Sequence, residues 1–173
     1  MARNIEIKAR IESIESVSPR VAALPGEGPV EIVQDDTFFH CPNGRLKLRT
    51  ISRDRGELIF YRRTDRREPK ESFYLISPTT SPDTLRECLL LAYGEMGRVR
   101  KNRKLFLVGG TRIHLDRVEG LGDFLELEVM LEDGESVENG EAVAKDLMEK
   151  LGIKQDQLIE GAYVDLMASA TAE

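Results

Sequence analysis

Apolar and polar residues alternate with a period of two over much of the chain, and the alternation begins almost at once. Successive side chains of a strand point to opposite faces. Across Arg3 to Glu12, Asn4, Glu6, Lys8 and Arg10 therefore share one face, and Ile5, Ile7, Ala9 and Ile11 share the other. Ile14 to Leu24 reads as a short helix broken by Pro25-Gly26. Val30 to Cys41 is rich in β-branched and aromatic residues and reads as extended, with Pro42-Asn43-Gly44 as a hairpin turn. The next strand, Arg45 to Ser52, sets Arg45, Lys47 and Arg49 against Leu46 and Leu48. Asp54-Arg55-Gly56 is a second turn, followed by a strand over Glu57 to Arg63, a charged loop over Thr64 to Lys70 and a strand over Glu71 to Ser77.

Ser81-Pro82-Asp83-Thr84 predicts a helix start: a capping serine, a proline in the first turn and an acid at the positive end. Leu85, Leu89 and Ala92 continue at helical spacing to Gly94. Three strands follow, Val99 to Val108, Thr111 to Glu119 and Asp123 to Glu132, turning at Gly109-Gly110 and at Gly120-Leu121-Gly122. Glu138 to Leu151 carries Val143, Leu147 and Leu151 at helical spacing, with Gly152 as its C-cap. Short helices are expected over Gln155 to Ile159 and near Tyr163 to Met167, and Ala168 to Glu173 is expected to fray. About eight strands, many joined by hairpins, predict an antiparallel sheet that closes or nearly closes. Helices over its apolar face make the arrangement α+β.

Composition narrows the class. A chain of 173 residues is long enough for one domain with a substantial core, here expected over 1–173. A 32% charged fraction and a net charge of −6 argue against a nucleic-acid or anionic-membrane partner but leave room for a local basic cavity. No apolar run is long enough to span a bilayer, and the N-terminus enters a charged strand rather than a signal peptide, so a cytoplasmic location is expected. Cys41 and Cys88 have no metal-like spacing and read as packing residues, and two histidines, His40 and His114, exclude a multi-histidine centre.

The candidate chemistry lies on the polar faces. Strand one offers Glu6, Lys8 and Arg10 beside Asn4. Later strands offer Lys47 and Arg49, then Lys101 and Arg103, then Arg112, His114 and Asp116, then Phe124, Glu126 and Glu128. The opposite faces are aliphatic: Ile5 and Ile7, Leu46 and Leu48, Ile113 and Leu115, Leu125, Leu127 and Val129. Such alternation is the ordinary mark of a half-buried sheet with one wet face. If the sheet instead closes with its charged face inside, cations and carboxylates are buried together, which is costly unless they pair or bind ligands. A polyphosphate with a divalent metal satisfies both signs.

Asn4-Ile5-Glu6-Ile7-Lys8 resembles the ExExK signature of the CYTH superfamily, the triphosphate tunnel metalloenzymes, which includes class IV adenylyl cyclases, thiamine triphosphatases and inorganic triphosphatases. Asp36-Thr37 with Leu46-Lys47-Leu48-Arg49, and Val99, Lys101 and Arg103, resemble its basic strands. Arg112-Ile113-His114-Leu115-Asp116 and Gly120-Leu121-Gly122-Asp123-Phe124-Leu125-Glu126-Leu127-Glu128 carry the most specific likeness, closest to the class IV cyclase-like branch. The resemblance implies an eight-stranded antiparallel tunnel with charged side chains inside. It implies that Glu6, Asp116, Glu126 and Glu128 hold Mg2+ or Mn2+, and that Lys8, Lys47, Arg49, Lys101, Arg103 and Arg112 grip a triphosphate, with Glu6, Lys8, Asp116, Glu126 and Glu128 as the catalytic set.

Three features depart from the pattern. The first glutamate of the signature is Asn4, an amide that can ligate a metal but lacks its charge. An inward lysine is expected between Leu58 and Arg63, where Arg62 and Arg63 both stand. A glutamate is expected on the following strand, near Glu71, Ser72 and Phe73. Tyr163 resembles a family element covering one tunnel end, with a simple packing role equally open. The implied functions are a metal-dependent hydrolase of inorganic, nucleoside or thiamine triphosphate, an adenylyl cyclase releasing pyrophosphate, and a sensor without turnover. A homodimer is compatible with the family.

Overall fold

A computed structural model describes residues 2–63 and 67–172. Its elements in chain order are β1 (Ala2–Arg10), α1 (Ile14–Ala22), β2 (Glu27–Phe39), β3 (Arg45–Ser52), β4 (Arg55–Arg63), β5 (Lys70–Thr79), α2 (Pro82–Tyr93), β6 (Glu95–Val108), β7 (Thr111–Val118), β8 (Gly122–Leu131), α3 (Val137–Leu151), a 3-10 turn (Gln155–Gln157) and α4 (Tyr163–Ala172). Among the described residues eight antiparallel strands close a barrel in the order β1-β5-β4-β3-β2-β6-β7-β8.

The apolar core lies outside the barrel. Ile7, Ala9, Ile113, Leu115, Leu125 and Leu127 turn outward and pack under Ile14, Val17 and Val21 of α1 and Leu147, Met148 and Leu151 of α3. Each large side chain so buried contributes about 1.5–3 kcal/mol. This packing fixes which strand faces point outward, and the charged faces are left inside. A second cluster joins Phe38, Val99, Val118 and Phe124 to Ala162, Tyr163 and Val164 at the start of α4, closing one end of the barrel. The close approach of α4 needs Gly97, because a Cβ there would run into Val164 Cγ2.

Local signals act much as expected, with specific differences. Gly152 ends α3 in the left-handed conformation as expected, and Ser13 and Ser136, which the sequence reading does not single out, cap α1 and α3 through their side chains. Ser81 makes no capping bond of its own, so α2 starts on Pro82 and Asp83 instead. β6 begins at Glu95 rather than Val99, because its first residues pair with the end of β2, Phe39 opposite Glu95. The last helix is longer than the sequence predicts: α4 runs past Met167 to Ala172. Of the loop expected over Thr64 to Lys70, residues 64–66 lie outside the described residues, and Lys70 opens β5 opposite Glu6.

Candidate active site

The inward faces of the strands converge on one cavity. β1 contributes Asn4, Glu6 and Lys8; β3 contributes Lys47 and Arg49; β6 contributes Lys101 and Arg103. β7 adds Arg112 and His114, β8 adds Glu126 and Glu128, and β2 adds Gln34 and Asp36. Six cationic and four carboxylate side chains thus meet inside a protein whose net charge is −6. The two signs are unevenly placed. Glu6, Glu126 and Glu128 stand on adjacent strands β1 and β8, where Glu6 and Glu128 are direct partners. Lys47, Arg49, Lys101 and Arg103 stand on β3 and β6, either side of β2.

Asp36 organises the basic wall. Its carboxylate accepts two bonds from Arg49, each 2.8 Å, and one from Lys47 at 3.2 Å. Burial alone would push its pKa up, but Lys47 and Arg49 hold it well below the usual range. The two lysines carry the strain of excess positive charge. Burial, then the neighbouring Arg49, lowers Lys47 to about 8, and burial, then Arg103, lowers Lys101 to about 7. An anion in the cavity reverses that effect. A polyanion such as inorganic triphosphate, bound against these lysines, would be expected to take up protons at pH 8, and its affinity to fall as pH rises through 7 to 8 and the lysines lose their charge. Calorimetry in buffers of different ionisation enthalpy reads the uptake directly. No proton uptake would place the triphosphate away from Lys47 and Lys101.

On the acidic wall, Glu126 lies 3.4 Å from Lys8, 3.3 Å from Arg103 and 3.4 Å from His114 Nδ1. Burial opposes its charge, but Lys8 and the other cations hold it well below the usual carboxylate range. Glu128 lies 3.7 Å from Arg112 and 3.9 Å from His114 Nδ1. One ligand atom from each of His114, Glu126 and Glu128 falls within 4.8 Å of the others. Asn4 is 3% exposed and lines the cavity, and its Oδ1 has no hydrogen-bond partner. A buried oxygen left unpaired is costly, so this one is available to a water or a ligand in the cavity. Carboxylate and amide oxygens with an imidazole fit a hard or borderline divalent cation.

Asp116 sits elsewhere than on the cavity wall. It is fully buried, and Arg103 grips both its oxygens at 2.7 Å. Tyr163 Oη donates to the same carboxylate at 2.8 Å. The inward parity of Asp116 thus serves to hold Arg103. Tyr163 closes the cavity beneath the cations: Lys8 Nζ lies 4.0 Å and Lys101 Nζ 5.0 Å from the centre of its ring. Lys8 also donates to Gly161 O at 3.3 Å. Arg10, by contrast, reaches outward over Phe124 and donates to Leu121 O.

β4 turns Ile59 and Tyr61 inward, so Arg62 is exposed, packed on Phe60; the side chain of Arg63 lies outside the described residues. β5 turns Ser72, Tyr74 and Ile76 inward, so Ser72 stands where a glutamate was expected, and Glu71 pairs outside with Arg3. Lys70, read as loop, is 1% exposed and shares the parity of Ser72. The alternation Lys70, Ser72, Tyr74 was the signal for it. Gln34 was also missed, although it precedes Asp36 by two residues; it is 6% exposed, with an unpartnered Oε1. Ile32, Ile59, Ile76, Val99 and Leu105 add aliphatic surface to the lining, and Phe38 an aromatic one.

Comparison with known proteins agrees with the fold. The CYTH domain family model matches residues 2–163. CyaB, an adenylate cyclase of Aeromonas hydrophila, is 25% identical over 167 residues, 92% of this chain and 85% of that protein. A Pyrococcus horikoshii OT3 protein of known structure superposes with a TM-score of 0.85 at 25% identity, over 94% of this chain and 98% of its own. A Pyrococcus furiosus protein shares the fold with a TM-score of 0.83 at 22% identity, over 94% and 99% of the two chains.

Proposed function

Since the chain belongs to the CYTH domain family, we propose that it is a divalent-metal-dependent phosphohydrolase acting on a triphosphate held inside the barrel. The observation that carries this reading is the convergence of six cations and four carboxylates on one cavity, with three of the carboxylates, Glu6, Glu126 and Glu128, gathered on β1 and β8. A triphosphate answers the cations and a divalent ion answers the carboxylates. Glu6, Glu126 and Glu128 are the residues to hold that ion, with Asn4 lining the same cavity. When bound, a divalent ion neutralises phosphate charge and polarises an attacking oxygen.

The protein groups do the positioning. Lys47, Arg49, Lys101 and Arg103 bind the phosphate oxygens as charge-assisted donors, and guanidinium groups do so in a fixed planar geometry. Asp36 and Asp116 keep those donors in place before substrate arrives, so little ordering remains to be done during reaction. Lys8 and Arg112 complete the grip from the acidic wall. Phosphoryl transfer asks for positioning and charge stabilisation more than covalent help, and no enzyme-bound phosphate is invoked. Water attacks the terminal phosphorus, the bridging P–O bond breaks, the diphosphate portion leaves beside the released phosphate, and the water's proton passes to solvent. Lys8→Ala is expected to weaken triphosphate binding by about 1–3 kcal/mol, the range for a charge-assisted contact. An unchanged dissociation constant in calorimetry would remove Lys8 from the phosphate site.

A second reading is an adenylyl cyclase, in which the ribose 3′ hydroxyl attacks the α-phosphorus and pyrophosphate leaves. It is favoured by the likeness to CyaB and by the aliphatic lining of Ile32, Ile76 and Leu105, which gives an apolar base a surface. A third, a triphosphate sensor without turnover, rests on Asn4 in place of a carboxylate. One panel separates them: inorganic triphosphate, ATP and thiamine triphosphate, each with Mg2+ and with Mn2+, with phosphate, pyrophosphate and cyclic AMP read separately. Phosphate release supports the hydrolase; cyclic AMP with pyrophosphate supports the cyclase; binding without product from any of them supports the sensor.

A further inference from the structure

The donor set on the acidic wall contains one group that a carboxylate metal site does not need. We propose that His114 is a nitrogen ligand of the divalent ion held by Glu126 and Glu128, and that this imidazole makes the site prefer a first-row transition ion such as Mn2+ over Mg2+. The inference rests on the metal-dependent reading of the cavity and goes beyond it in naming a ligand and the class of ion.

Three observations carry it. His114 Nδ1 faces both carboxylates, 3.4 Å from Glu126 Oε2 and 3.9 Å from Glu128 Oε1. Ligand atoms around one ion with bonds of about 2.0–2.2 Å stand roughly 3–4 Å apart. His114 therefore already stands at the spacing of a shared ion from each carboxylate, and ligand atoms of all three side chains lie within 4.8 Å of one another. Second, the placement is rigid: His114 and Glu126 are direct partners on β7 and β8, and Arg112 and Glu128 are the next inward pair. His114 is 4% exposed, so the ring has little room to turn away into water. Third, Asn4 lines the same cavity with a buried Oδ1 that has no partner. With Asn4 in the chain, one negative oxygen is missing from β1, and a neutral nitrogen donor restores the ligand count without restoring the charge.

That exchange has a chemical consequence. Mg2+ demands oxygen ligands and keeps its waters, so an imidazole adds little to its binding. Transition ions gain from a nitrogen ligand, increasingly along the series from Mn2+. The same ring can instead donate a proton from Nδ1 to Glu126, in which case that nitrogen has no lone pair to give a metal. The two states are chemically exclusive, and a spectrum distinguishes them.

The test uses the full chain with Mn2+ and imidotriphosphate, a triphosphate analogue that resists hydrolysis. Pulsed electron paramagnetic resonance of bound Mn2+ is expected to show the modulation of a directly coordinated 14N nucleus. Growth on histidine carrying 15N in the ring should convert it to the 15N pattern, and His40→Gln, on the exposed histidine outside the cavity, should leave it in place. In competition, Mn2+ is expected to displace Mg2+ with at least a tenfold preference, and His114→Gln to reduce that preference several-fold. Bound Mn2+ without nitrogen coupling in the unaltered protein would overturn the proposal and leave the metal site itself standing. Failure of Mn2+ to bind, with or without imidotriphosphate, would overturn both.

Discussion

Replacing Glu128 by glutamine is expected to abolish metal-dependent turnover, by about 10^3-fold or more, while the melting temperature barely moves. Lewis-acid stabilisation by a bound ion is worth several kcal/mol, and each 1.36 kcal/mol is tenfold in rate. Glutamine keeps the shape of the side chain but removes the charge. Glu128 makes only long contacts, 3.7 Å to Arg112 and 3.9 Å to His114, so little folding energy is at stake. Glu126→Gln should be equally inactive but also less stable, because Glu126 is the counterion of both Lys8 and Arg103. Initial rates of phosphate and pyrophosphate release, read beside a circular-dichroism melt, separate the two effects. Full activity in both variants would remove these carboxylates from the metal shell.

The largest effect on stability is expected at Asp116. Asp116→Ala leaves Arg103 buried without the carboxylate that holds two of its nitrogens, and strands the hydroxyl of Tyr163 as well. Breaking a buried ion pair by removing one partner costs about 3–5 kcal/mol. In a domain of this size each kcal/mol lowers the melting temperature by about 2–4 °C, so a fall on the order of 6–20 °C is expected. Replacing both members, Asp116→Leu with Arg103→Met, should recover much of it, because the uncompensated charge is gone. Mn2+ affinity in Asp116→Asn distinguishes the roles. A positioning residue leaves it nearly unchanged; a ligand would lower it sharply. The pH dependence has a definite sign. Burial opposes the charge of Asp116, but Arg103 holds its pKa below the ordinary 3.8. Its contribution is therefore complete above the unfolded value and is lost as pH falls through the folded one.

The chain dictated a good deal by itself. Strand faces follow from a period of two, so Glu6 with Lys8, Lys47 with Arg49 and Glu126 with Glu128 could be grouped without coordinates. Hairpins at Gly109-Gly110 and Gly120-Leu121-Gly122 set the order of β6, β7 and β8, and capping residues set the ends of α1 and α3. Periodicity is symmetric, however, and does not say which face is inside. Packing of α1 and α3 on Ile7, Leu115 and Leu127 decided that, by taking the aliphatic faces for the core and leaving the charged faces to the cavity.

Parity also carries no depth. Arg112, His114 and Asp116 alternate identically, yet Arg112 and His114 line the cavity while Asp116 is consumed by Arg103, its direct partner across β6 and β7. That pairing is a matter of register, and register is set only when the strands meet. For the same reason the inward residues of β4 and β5 had to wait for closure, which exposed Arg62, brought Ser72 inside and buried Lys70. The local pattern determines which side chains travel together. The tertiary structure decides which of them face a ligand and which spend their charge on one another, because only the closed barrel brings residues far apart in the chain within reach of a hydrogen bond.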